Sequence, residues 1–120
     1  MARKAFAHDA VVAMENDDSP NALGGAIANA LCGSWDHSPP CPLAPHYVSY
    51  NAEGETVRLR VVFATEPSNE QRVRALIDDA LATGWLTVPD GTVAHWELRS
   101  ASPGSLRADE HDLAAGLIAH

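Results

Sequence analysis

Two runs, His46-Tyr-Val-Ser-Tyr50 and Thr56-Val-Arg-Leu-Arg-Val-Val-Phe-Ala64, flank the segment Asn51-Ala-Glu-Gly-Glu55. Nothing else in the chain narrows its fold as far. Apolar and polar residues alternate through the start of the second run, the period of a strand with one face buried. Gly54 supplies a residue that can take positive φ in a turn between them. A tight turn at Glu53-Gly54 would pair Tyr50 with Val57, Val48 with Leu59 and His46 with Val61. These residues share one face with Phe63, and Arg58 and Arg60 point the other way.

The same reasoning extends to both sides of this hairpin. Phe6, His8, Ala10, Val12 and Met14 recur at period two, which predicts a strand that Asn16-Asp-Asp-Ser-Pro20 ends. The stretch 20–32 is open to two readings. Ser19-Pro20 starts a helix well, and Leu23, Ile27 and Leu31 keep helical spacing. Gly24-Gly25, at about 1 kcal/mol each in a helix interior, argues against a helix. A strand over 26–32, pairing back on the first, is slightly favoured by the economy of a β-meander.

Further on, Ser68 with Gln71 forms a capping-box pattern, and Val73, Leu76, Ile77, Ala80 and Leu81 make an apolar stripe that Gly84 ends. Strands are predicted at 85–88 and 92–99, divided by Pro89-Asp-Gly91. In the second, Ala94, Trp96 and Leu98 look inward and His95, Glu97 and Arg99 outward. Residues 100–104 read as a linker and 109–119 as a short tail helix.

The fold class that follows is α+β: an antiparallel sheet of about four to five strands, one main amphipathic helix on one face, and a short C-terminal helix. It occupies a single domain, 1–120, in which 100–120 is linker plus tail helix. The second face of the sheet needs cover from that helix or from a second copy, so a homodimer or other protein partner is expected.

Charge restricts the partners. Eight Lys and Arg against sixteen Asp and Glu give a net charge of −8, which disfavours nucleic acid and anionic membrane surfaces alike. No run of 18 apolar residues is present to span a bilayer. The basic start Met1-Ala-Arg-Lys is followed by an apolar stretch that His8 and Asp9 interrupt, unlike a signal peptide. The expected location is the cytoplasm, where thiols stay reduced.

Chemistry concentrates between 32 and 46. Cys32, His37, Cys41 and His46 lie on a segment stiffened by Pro39, Pro40, Pro42 and Pro45. Thiolate and imidazole are zinc ligands, and a stiff loop lowers the entropy cost of gathering four of them tetrahedrally. The spacing Cys-x4-His-x3-Cys-x4-His predicts a zinc-class ion on Cys32, His37, Cys41 and His46, with a structural, sensor or carrier role. Asp36 or water could replace one ligand. The spacing lacks the Cys-x2-Cys step of zinc knuckles and ribbons. The competing readings are buried packing cysteines, a Cys32–Cys41 disulfide, or a reactive thiol paired with His37. The alternative function is a metal-free accessory or protein-interaction subunit using an exposed sheet face.

The segment Ala30-Leu-Cys32-Gly-Ser-Trp-Asp-His37, with Cys41 after it, resembles one found in small actinobacterial proteins of unassigned function. That resemblance covers a short part of the chain and implies no activity. The predominance of arginine over lysine and the abundance of alanine fit a GC-rich genome.

Other chemistry is weaker. His95 with Glu97 forms an acid–base or ligand pair on one reading, and surface charge beside Arg99 on the other. Asp109-Glu-His-Asp112 reads as negative charge at a helix start. No phosphate-binding loop, Gly-x-Ser-x-Gly elbow or His-Glu-x-x-His motif occurs, so no catalytic residue is assigned.

Overall fold

The computed structural model describes residues 3–14, 21–32, 45–87 and 91–119, without the side chains of Asn21 and Cys32. The elements in chain order are β1 (Lys4–Met14), α1 (Asn21–Cys32), β2 (His46–Glu53), β3 (Thr56–Thr65), α2 (Glu70–Thr83), β4 (Trp85–Thr87), β5 (Val93–Gly104) and α3 (His111–Ala119). The strands form one five-stranded sheet in the order β2-β3-β1-β5-β4, with every pairing antiparallel. The α+β class read from sequence is therefore the observed one, short C-terminal helix included.

Within the stretch 20–32, weighted towards a strand, Asn21–Cys32 is a helix instead. Leu23, Ile27 and Leu31 are buried together with Ala22 and Ala26, so two turns of apolar contact outweigh the helix cost of Gly24-Gly25. α1 packs on α2, and the two cover the inner sheet face. The centre of that face is apolar: Ala10, Val12 and Met14 of β1, Val57, Leu59, Val61 and Phe63 of β3, and Ala94 and Trp96 of β5. The stripe Val73, Ile77 and Leu81 of α2 lies against it, each fully buried.

The β2–β3 hairpin forms in a register two residues from the expected one. Tyr50 pairs with Leu59, Val48 with Val61 and His46 with Phe63, and the last pair is Glu53 with Thr56. The loop is thus Gly54-Glu55, not Glu53-Gly54. Gly54 takes φ of 62°, and no non-glycine residue has positive φ among the described residues. Glycine at the first position of a two-residue loop is the hairpin turn that matches strand twist. A slip of two keeps every side chain on its face, so the core stripe survives the correction.

Two boundaries also differ from the sequence reading. A 3-10 turn over Pro67–Asn69 precedes α2, so Asn69 and not Ser68 sits at the cap, with no side-chain capping bond. Pro67 starts the turn one step early, because proline favours the first helical position. The C-terminal end is as read: Gly84 takes φ of 80°. Its carbonyl accepts from the Trp96 amide at 2.9 Å, and the Trp96 indole donates to the Leu81 carbonyl at 2.7 Å. A Cβ at Gly84 would lie 3.0 Å from the Trp96 carbonyl oxygen.

The second boundary is at 100–104, expected as a linker, which continues β5. A bulge between Val11 and Val12 lets β5 re-pair with β1, Val11 with Ser100 through to Ala7 with Gly104. An added residue in one strand shifts the ladder without ending it, which no alternation pattern reveals.

Candidate functional site: the open half of the outer sheet face

The strand registers arrange the outer face in rows across β2, β3, β1 and β5. The first row holds Tyr47, Val62, Ala7 and Gly104, the second Ser49, Arg60, Asp9 and Ser102. The third holds Asn51, Arg58, Val11 and Ser100, the fourth Glu53, Thr56, Ala13 and Glu97. α3 packs on β1 and β3, where Ala7, Val62 and Ala64 are fully buried. The tail helix therefore supplies cover for one end of this face, and the third and fourth rows stay open.

An ion-pair network marks the edge of the covered part. Arg60 donates to both carboxylate oxygens of Glu110, Nε to Oε2 at 2.9 Å and Nη2 to Oε1 at 2.7 Å. Its Nη1 donates to Asp9 Oδ1 at 2.9 Å, and Nη2 also reaches the Ser105 carbonyl. The Arg107 amide donates to Glu110 Oε1 at 2.9 Å. The Glu110 side chain is only 9% exposed, and the Arg60 guanidinium holds its carboxyl down at about 2. Arg60 is correspondingly raised by its hydrogen bond to Glu110. Gly104 sits against this network, and a Cβ there would collide with the Asp9 carboxylate and Arg60 Nη1.

Beside the network lies a groove of ≈ 500 Å³ lined by Asp9, Val11, Ser49, Asn51, Arg58, Arg60, Ser100, Ser102 and Arg107, among others. Its lining combines Ala10 and Val11 of β1 and Ser100 and Ser102 of β5 with Arg58, Arg60 and Arg107. A second groove of ≈ 420 Å³ lies at the fourth row, with Ala13, Glu55, His95, Glu97 and Arg99 in its lining. His95 and Glu97 are exposed there, and Glu97 pairs with Arg99 at 3.3 Å. The surface-charge reading of this trio therefore describes its geometry.

A second polar cluster lies in the inner layer, with His8 and Arg74 buried and Glu70 and Asp78 reaching the surface. Arg74 Nη1 donates to the Ala7 carbonyl at 2.6 Å and to His8 Nδ1 at 3.0 Å, and Nε donates to Glu70 at 2.9 Å. Its guanidinium lies 5.4 Å from the Phe63 ring centre and 5.9 Å from that of Phe6, a cation–π contact. Arginine only donates, so His8 Nδ1 must accept and the ring proton sits on Nε2. That nitrogen donates to Asp78 at 2.7 Å. With both nitrogens committed and 2% exposure, His8 packs and orients rather than reacts.

Of the four residues assigned to zinc, Cys32 ends α1 and His46 opens β2, where it is half-buried. His37, Cys41 and the Cys32 side chain lie outside the described residues. Among the described residues, no group of three or more His, Cys, Asp and Glu side chains converges. No described helix is long and apolar enough to cross a membrane.

Sequence reasoning placed Arg58 and Arg60 on the outer face but missed the Arg60–Glu110–Asp9 network and the groove. One signal was available: Asp9 is a carboxylate within the largely apolar strand β1, and a charge there asks for a partner. The chain matches no known family model and no curated protein.

Proposed function

We propose that this protein is a small binding module whose working surface is the uncovered half of the outer sheet face. The observation that carries this reading is the ≈ 500 Å³ groove over a rigid four-strand platform. Its Ser, Asn and Arg side chains offer donors without an apolar seal of their own. A ligand gripped on strands is held more precisely than one held on loops. A thermal-shift screen of the wild type against Ser100→Trp, which fills the groove, tests it. Compounds that raise the melting temperature of the wild type alone are expected; equal responses in both proteins, or none in either, would refute the reading.

A second reading is favoured by where the outer ligands of the Cys/His segment fall. Cys32 closes a helix and His46 opens the edge strand, so a zinc-class ion on Cys32, His37, Cys41 and His46 would tie two rigid elements together. In the cytoplasm both thiols would stay reduced for that purpose. Metal analysis of protein purified without added metal, followed by cobalt substitution, tests it. A stoichiometric ion with thiolate-to-cobalt absorption is expected, and the absence of both would remove it. The two readings concern different surfaces and stand or fall separately.

A further inference from the structure

We propose that the third row of the outer face, Asn51, Arg58, Val11 and Ser100, is an oxyanion subsite for the phosphate or carboxylate group of a small molecule. The inference rests on the binding-module reading and names its ligand class. Three arginines line the groove, and two are already engaged. Arg60 is held by Glu110, Asp9 and the Ser105 carbonyl, and Arg107 by Asp109 and Glu110. Arg58 is exposed and makes no ion pair among the described residues. Its fork of donors is the one left in the groove for a ligand.

The neighbours of Arg58 suit an anion. Asn51 and Val11 flank it directly across the sheet, and Ser100 follows Val11. That row contains no carboxylate. Of the two adjoining rows, one holds Asp9, both of whose carboxylate oxygens meet Arg60 Nη1, at 2.9 and 3.1 Å, and the other holds Glu53 and Glu97, the latter paired with Arg99 at 3.3 Å. From Arg58 to Ser100 is two strand spacings, roughly 10 Å. An extended arginine spans most of that distance, so one phosphate or carboxylate over Val11 can meet guanidinium and hydroxyl together. Arginine recognises such groups bidentately.

Size separates this ligand from a polyanion. The chain carries a net charge of −8, and a nucleic acid long enough to leave the groove would meet that negative surface. A small anion feels chiefly the charges within a Debye length, about 8–10 Å.

The experiment is a titration of the full chain, followed by amide and Arg Nε–H NMR signals, with inorganic phosphate and separately with succinate. Ionic strength is held constant with chloride. Saturable shifts at Val11, Asn51, Arg58 and Ser100 are expected, with affinity weakened roughly ten-fold or more in Arg58→Ala. Arg58→Lys keeps the charge without the fork and should fall between, and it serves alone if Arg58→Ala does not fold. Stronger binding of phosphate or of succinate identifies the headgroup. Shifts that do not saturate, or equal affinities in all three proteins, would overturn the proposal. If only neutral compounds stabilise the wild type and not Ser100→Trp, the oxyanion assignment fails while the binding-module reading stands. If no compound does, both fail.

Discussion

The inner and outer faces of this sheet come from the same strands, yet different physics closes them. The inner face is covered by two helices through apolar contact, and its buried polar members, His8 and Arg74, are hydrogen-bonded to each other and to neighbouring groups. The outer face is closed over one end only, by a nine-residue helix anchored through Arg60 and Glu110. Apolar burial is roughly additive and tolerates slips of two in register; an ion pair depends on one geometry and on pH. Stability therefore belongs mainly to the inner layer, leaving the other face available for recognition.

The largest expected effect breaks the inner layer. Ile77 is fully buried in the core cluster, so Ile77→Ala leaves a cavity there and should cost about 3–5 kcal/mol in denaturant unfolding. Arg60→Ala attacks the outer layer and should cost less, about 2–3 kcal/mol, because Glu110 is left buried without its partner. Faster amide exchange confined to α3 and its underlying strands would separate local undocking from global loss.

Acid should act on the same contact. The Glu110 carboxyl lies at about 2, below its ordinary value of 4.5. Its folded form therefore holds on to its charge while the unfolded chain takes up a proton. The stability it contributes is complete above about pH 4.5 and is lost as pH falls towards 2. Glu110→Gln should flatten that part of the stability profile, as read by melting temperature against pH; an unchanged profile would show that other carboxylates govern it.

Smaller effects sharpen the contrast. A Cβ at Gly24 meets nothing within 4 Å, so Gly24→Ala should stabilise α1 by about 0.5–1 kcal/mol. A loss instead would mean that the helix needs the glycine backbone. Arg58→Ala, on the open face, should change unfolding free energy by no more than about 0.5 kcal/mol.

Much of the inner layer was legible in the sequence because it repeats. The period of β1, β3 and α2, and the stop at Gly84, follow from patterns several residues long. Within 20–32 the local helix signals were outweighed by the economy of a β-meander, while the contacts that reward the helix Asn21–Cys32 come from α2, far along the chain. Ser100–Gly104 was misread because a bulge lets a strand continue through Ser, Pro and Gly. The outer face left least trace of itself. Asp9, Arg60 and Glu110 are far apart in sequence: the registers of β1 with β3 and β5 bring Asp9, Arg60 and Gly104 together, and the turn Ala108–Glu110 before α3 adds Glu110. The Cys/His segment was the most conspicuous chemistry in the chain, and its ligand set falls outside the described residues except for the positions of Cys32 and His46 at its ends.

The division of labour between faces is tested most directly by measuring phosphate affinity and unfolding free energy side by side for wild type and Arg58→Ala. A roughly ten-fold weaker affinity with unfolding free energy preserved within about 0.5 kcal/mol is the predicted result. Unchanged affinity, or stability that falls in step with it, would contradict the account.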